Sequence, residues 1–270
     1  MNNEPVPSKG TPHLTPKSLV GRSKFEAGTF GGITVALVGF CPRSSALDAY
    51  HPQPTHRQYF IHVPPASVEL CSHGGIEFLS LTHVYGGPVA SALIEELAYY
   101  GFEYALAYGL AGGLDTEELK MGDFYLVERA LALDGTTPHY TDDRLIPSDG
   151  YLNAKIEEFA EWNGLPNLKR VQAMTADAIY REYDEDLDHA REQRCDIVNC
   201  DSSHLFAVAR EVGIKTTECG VISDVIGGDG EESESELAEM LPAGEERAGA
   251  PLALVGRIVE FYVETLIPEL

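Results

Sequence analysis

The chain has 270 residues, 44% of them apolar, enough for one large domain or two small ones with a substantial core. Its formal charge of −24 sets it against nucleic-acid backbones and anionic membranes, both of which would repel it. Only 7 of the 19 basic residues are lysine; this composition fits either a protein adapted to high salt, where self-repulsion is screened, or an ordinary acidic one.

In chain order, residues 1–22 are rich in Pro, Ser, Thr and Asn and are expected to form a mobile arm ahead of a single domain over 23–270. The arm lacks the apolar segment of a secretory leader, and no run of about 18 apolar residues follows, so a cytoplasmic protein without a membrane partner is expected. The β-branched runs at 31–40 and 76–84 read as buried strands. Gly86-Gly87-Pro88 then opens a helix that Gly101 closes. Residues 104–114 form a third strand running into a glycine turn, and 122–135 a fourth. A helix over 151–164, a strand over 168–176, a polar helix over 185–195 and a short strand at 196–200 follow. The helix over 202–213, the strand over 214–223 and a final helix over 246–267 complete the pattern. Between the last two lies a glycine-acidic stretch, 228–246, read as a solvated loop.

Alternation of strands and helices without a central linker predicts an α/β fold, a three-layer αβα sandwich around a central mixed sheet. In such sheets ligands bind beyond the carboxyl ends of the strands. The candidate sites are therefore the polar and glycine-rich turns there. Five cysteines, an odd number with no C-x-x-C pair, predict reduced core thiols; no metal and no organic cofactor are expected.

Each turn has a plain structural reading beside a functional one. Tyr85-Gly86-Gly87 before a helix brings backbone N–H groups to an anion or a sugar, or simply makes a tight turn. Gly109-Leu110-Ala111-Gly112-Gly113 offers the same close approach. Asp134-Gly135-Thr136-Thr137-Pro138-His139 places hydroxyls and an imidazole past a strand. Asp201, between Cys200 and a helix, either caps that helix or accepts hydrogen bonds from a diol. Asp224, at the end of an apolar strand, is ordinary by itself or a general acid.

The order of these pieces over residues 31–267 resembles the nucleoside phosphorylase/nucleosidase family, the group of the uridine and bacterial-type purine phosphorylases. The family's hinge reads Glu-Met-Glu, matched here by Asn199-Cys200-Asp201, and its Val-Ser-Asp is matched by Ile222-Ser223-Asp224. The resemblance implies that Asp201, with Cys200 and Asn199, holds the ribose, and that Asp224, helped by Arg247, protonates the leaving base. It places Ile179, Tyr180, Thr137 and His139 at the base, with Tyr85 and Gly86 beside the sugar. For phosphate it implies Arg43, Gly39 and Gly109. Ala107 and Leu110 stand where the family carries an arginine and a hydroxyl residue. The implied activity is a pentosyltransferase that cleaves a purine or uridine-type nucleoside with phosphate as co-substrate, giving free base and ribose 1-phosphate. A hydrolytic nucleosidase and a nucleoside-binding protein without turnover are the alternatives. The resemblance also implies a homo-oligomer, dimer or hexamer, with residues 51–60 reaching a neighbouring subunit.

Overall fold

Thr15 forms a reciprocal capping box with Ser18, opening a one-turn helix α1, Pro16–Leu19. A 3-10 turn, Val20–Ser23, follows, and Val20 packs into the core, so this part of the expected arm lies on the domain. The computed structural model describes residues 10, 12–23, 25, 26, 28–114, 118–160, 164–226 and 250–270.

Val35–Gly39 forms β1, five consecutive buried residues of which three are β-branched or leucine on alternate faces of a doubly covered sheet. Two strands unforeseen in the sequence follow, β2 (Gln53–Pro54) and β3 (Val68–His73), the latter forming a hairpin through Gly74-Gly75 with β4 (Ile76–Leu81). Both hairpin glycines have positive φ, which side chains resist. Helix α2, Gly87–Tyr100, begins at Pro88 as N2 and ends on Gly101, whose φ of 94° terminates it in the left-handed region.

β5 (Tyr104–Gly113), β6 (Phe124–Ala132), the short β7 (Leu145–Pro147), α3 (Gly150–Ala160) and β8 (Lys169–Thr175) come next. They are followed by α4 (Asp184–Glu192), β9 (Ile197–Asn199), α5 (Ser202–Val212), β10 (Lys215–Val225) and α6 (Ala250–Phe261). Residues 228–246 and Arg247 lie outside the described residues.

The ten strands form one mixed sheet in the order β10-β6-β8-β9-β5-β1-β4-β3-β2, with β7 on the outside of β6. β5 pairs with both β9 and β10, so five strands close into a ring and the remaining strands extend from β5 as an open sheet. Helices cover both faces. Leu93, Ile94 and Leu97 of α2 pack with Leu205, Phe206 and Val208 of α5 on one side. Leu152 and Ile156 of α3 join Val255, Ile258 and Val259 of α6 on the other. Among the described residues no helix is long and apolar enough to cross a membrane.

β5 carries most of the positioning. It runs parallel to β1 on one side and to β10 on the other, which sets Gly220 opposite Gly109 and Gly39 opposite Tyr108. The carboxyl ends of these strands are the edge at which an α/β sheet binds ligands.

Candidate active site

The chain after β1 turns against the chain after β4: His83 N–H donates to Cys41 O and Val84 N–H to Gly39 O, each at 3.1 Å. This sets Phe40, Cys41, Tyr85 and Gly86 around the end of β5. Gly86 has a φ of 78° at the start of α2, a conformation for which glycine is needed. Tyr85 is half exposed, and its hydroxyl is pushed up to about 12 by burial, then by Cys41 and Asp201, which places it at the rim beside Asp201.

Asp201 occupies the residue before α5, where a carboxylate ordinarily caps the helix. It does not: its side chain makes no cap hydrogen bond. The carboxyl is 5% exposed and accepts no hydrogen bond from the described residues. Its Oδ2 lies 4.0 Å from the position a Cβ would take on Gly109. Burial, then the charge of Glu218, raises its pKa far above the ordinary carboxylate range. A nearly buried carboxyl that accepts no hydrogen bond from the described residues can gain one from a ligand hydroxyl.

Glu218, in the middle of β10, is fully buried. Its Oε2 accepts from Ser202 Oγ at 2.7 Å, and its Oε1 from Asn199 Nδ2 at 3.2 Å and Tyr125 Oη at 3.3 Å. Oε1 also reaches 3.8 Å from the same absent Cβ on Gly109. Burial raises Glu218 as well, while these hydrogen bonds oppose the rise. Among the described residues three donors converge on Glu218 and none on Asp201, which favours the charge of the pair on Glu218 and the proton on Asp201.

Asp224 owes its aim to a bulge. The β10–β5 register shifts between Ile222 and Asp224, which turns the aspartate toward Gly112, its Oδ2 lying 3.3 Å from where a Cβ would sit. Ser223 Oγ donates to Asp224 Oδ1 at 2.7 Å and fixes the carboxyl. Glu182, half-buried, faces it; burial and then Asp224 raise the Glu182 carboxyl.

A second buried network lies behind the first. Asp134 accepts from the backbone N–H groups of Thr136 at 2.8 Å and Thr137 at 2.7 Å, and from Ser203 Oγ. The fully buried His204 imidazole stands 3.7 Å away. Burial alone would raise Asp134, but His204, Ser203 and Thr137 outweigh it and hold the carboxyl below its ordinary range. This network ties the loop after β6 to the start of α5. Gly87 has no room for a side chain because Thr136 packs against it, so the start of α2 is tied in too. Replacing Asp134 by alanine strands three donors. We expect a loss of about 2–4 kcal/mol in urea unfolding at pH 7. Because the folded-state pKa is depressed, the stabilisation is present above the unfolded value of about 3.9 and is lost as pH falls below it. The gap between wild type and Asp134→Ala should therefore narrow toward pH 3 in the same measurement; a gap independent of pH would contradict the ionised role.

Several residues expected at the site are engaged elsewhere. Arg43 does not face the Gly109 turn as a free cation: its Nε bonds Glu69 at 2.7 Å, Nη2 pairs with Asp48 at 2.8 Å and Nη1 contacts Ser44 O at 3.4 Å. Gly39 is glycine because the Tyr108 ring lies 2.8 Å from its missing Cβ, a packing reason. Thr137 is buried and spends its hydroxyl on Ser203 at 3.1 Å, so it does not offer it to a base. Asn199 bonds Ser202, Glu218 and Thr175 rather than opening to a sugar. His139, Ile179 and Tyr180 are exposed on the outer loops after β6 and β8, Tyr180 at 86%. Cys200 is half-buried, its thiol pushed up to about 12 by burial and by Asp201, Glu182 and Asp177, so it is an uncharged wall of the site. Asp201, Asp224, Gly109, Tyr85 and Gly86 are brought to one edge of the sheet. Glu218, Asp134 and Ser203 emerge only from the fold. Their signals were a lone acid inside the apolar run 214–223 and the polar pair Ser202-Ser203 at a helix start.

Residues 28–259 match the family model of the phosphorylase superfamily. An uncharacterised protein of Acanthamoeba polyphaga mimivirus is 30% identical over 223 residues, covering 82% of this chain and 86% of that protein. A guanosine phosphorylase of Halorubrum lacusprofundi is 26% identical over 182 residues, covering 66% of this chain and 74% of that protein. The fold superposes on purine nucleoside phosphorylase from Toxoplasma gondii with a TM-score of 0.64 at 17% identity, over 88% of this chain and 92% of that one. With a family match spanning nearly all of the domain, the chain belongs to the phosphorylase superfamily, the enzymes of the nucleoside phosphorylase and nucleosidase group.

Proposed function

We propose that this protein cleaves the N-glycosidic bond of a purine-type nucleoside. The observation that carries the reading is the carboxyl of Asp201, a residue 5% exposed that accepts no hydrogen bond from the described residues, at the carboxyl edge of the sheet. A ribose offers two adjacent hydroxyls, and one carboxyl can take both. Asp224 stands farther along β5, beside Gly112, where the leaving base would lie when the sugar sits on Asp201 beside Gly109.

The chemistry asks for these two groups. As the glycosidic bond breaks, positive charge develops on the sugar, and the buried acidic pair favours it. The base departs with an electron pair and needs a proton, which a carboxyl held by Ser223 is placed to give. Purine over pyrimidine is supported by that carboxyl at the leaving group and by the guanosine phosphorylase among the relatives.

The test is release of free base from guanosine, inosine, adenosine and uridine, followed by chromatography. Release from the purine nucleosides is expected. Release from uridine alone would contradict the purine assignment, and release from none of them would contradict the reading as a whole.

A further inference from the structure

Inside β5, on the face where Gly109 has no side chain, the sheet leaves a gap beside Asp201. Two carboxyl oxygens converge on that gap: Glu218 Oε1 at 3.8 Å and Asp201 Oδ2 at 4.0 Å from the absent Cβ, with Phe40 Cβ at 3.3 Å closing the third side. Opposite Glu218 in register stands Ala107, fully buried and uncharged. Arg43 spends its three guanidinium nitrogens on Glu69, Asp48 and Ser44 O. Among the described residues the charge acting on Asp201 is that of Glu218, and none of them sets a cation beside it. From those residues a phosphate dianion placed in this gap would meet a like charge and no counter-charge; a water molecule would meet an acceptor.

We infer that the acceptor is water, and that Glu218 is the carboxylate that takes its proton. The inference rests on the glycosidic reading above and adds the co-substrate and a catalytic residue to it. Oε2 of Glu218 is held by Ser202 at 2.7 Å, while Oε1, with its two longer hydrogen bonds of 3.2 and 3.3 Å, is the oxygen that faces the gap. Water bound there forms its O–C bond to the anomeric carbon as the C–N bond breaks. The C–N electron pair goes to the base, Asp224 supplies the proton the base needs, and Glu218 receives the proton that water gives up. The products are free base and ribose, and the proton on Glu218 returns to Asp224 through solvent.

Asp201 completes the arrangement. It holds the pair's proton in the free protein, so Glu218 is the member left ionised to act as base. The fully buried middle of β10 tolerates a carboxylate because Ser202, Asn199 and Tyr125 are all turned toward Glu218. Gly220 permits this, because the Tyr125 ring lies where a side chain on residue 220 would sit.

The experiment uses the full chain with guanosine in phosphate-free buffer made with ¹⁸O-water, then with phosphate added. The inference predicts base release without phosphate, no stimulation by it, and ¹⁸O in the ribose. Glu218→Gln should lower that release by about 10²–10⁴-fold while nucleoside affinity by calorimetry stays within about threefold. Release that requires phosphate and yields ribose 1-phosphate would overturn the inference and leave the glycosidic reading standing. Wild-type release by Glu218→Gln would overturn the role of Glu218. Absence of release from every nucleoside would remove the reading beneath it and the inference together. The wild-type isotope result decides the acceptor even where the variant fails to fold.

Discussion

Asp224→Asn lowers kcat for nucleoside cleavage by about 10²–10⁴-fold, the usual contribution of a positioned general acid. The side chain is aimed by the bulge between Ile222 and Asp224 and fixed by the Ser223 hydroxyl at 2.7 Å. Asparagine keeps the size of the carboxyl, and its amide oxygen can still accept from Ser223. What it cannot do is transfer a proton to the departing base. The loss therefore falls on kcat, and nucleoside affinity stays close to wild type, because the interaction is made as the bond breaks. Steady-state kinetics with guanosine, together with calorimetric binding, separates the two effects. A kcat within about threefold of wild type would take Asp224 out of the chemistry.

The second large effect belongs to Asp201→Asn, and it has opposite signs in activity and in stability. A diol held by both Asp201 oxygens loses one of those hydrogen bonds when an amide nitrogen takes the place of an oxygen, at a cost of about 1–3 kcal/mol where a polar group is left unpaired in a buried site. We expect kcat/KM to fall by about 10–10²-fold. Stability moves the other way. The Asp201 pKa is raised in the fold, by burial first and by Glu218 second. The native state then holds a proton that the unfolded chain releases above about pH 4, so this residue's contribution is full at low pH and is lost as pH rises. The neutral asparagine escapes that loss. It also leaves no hydrogen bond broken within the protein, since the Asp201 carboxyl accepts none from the described residues. A gain of about 1–2 kcal/mol at pH 8 corresponds to a rise in Tm of roughly 2–8 °C, vanishing toward pH 4. Thermal unfolding at both pH values checks this, and a destabilised variant at pH 8 would show that Asp201 is a structural cap after all.

Much of this architecture was legible in the residues because local chemistry and fold agree there. Pro88 and Gly101 bracket α2 for the reasons proline and glycine always do. The hinge at Asp201 lies at a strand end, where motif order is readable, whereas the glycine run 109–113, expected as a turn, forms the second half of β5. What the sequence withheld are pairings between distant segments. β3 carries few sequence signals as a strand, yet its Glu69 is the group that claims Arg43, so the expected anion ligand was lost through an unread strand. Closure of the ring needs β5 to pair with both β9 and β10, a register that no hydrophobic period encodes. Glu218 is the sharpest case. Periodicity absorbs it into the apolar run of β10, and only the meeting of β10, β6 and the hinge shows that Tyr125, Asn199 and Ser202 all turn toward it. Asp134 was in view beside Thr136 and Thr137, but the donors it binds lie partly in α5, 69 residues on at Ser203.

The central claim is that one nucleoside lies across the end of β5, its sugar on Asp201 and its base at Asp224. A crystal structure of Asp224→Asn soaked with guanosine tests it most directly. The account predicts both ribose hydroxyls within hydrogen-bond distance of the Asp201 carboxyl and the purine ring against residue 224 and Gly112. A nucleoside bound at any other place, or a ribose whose hydroxyls point away from Asp201, would contradict it.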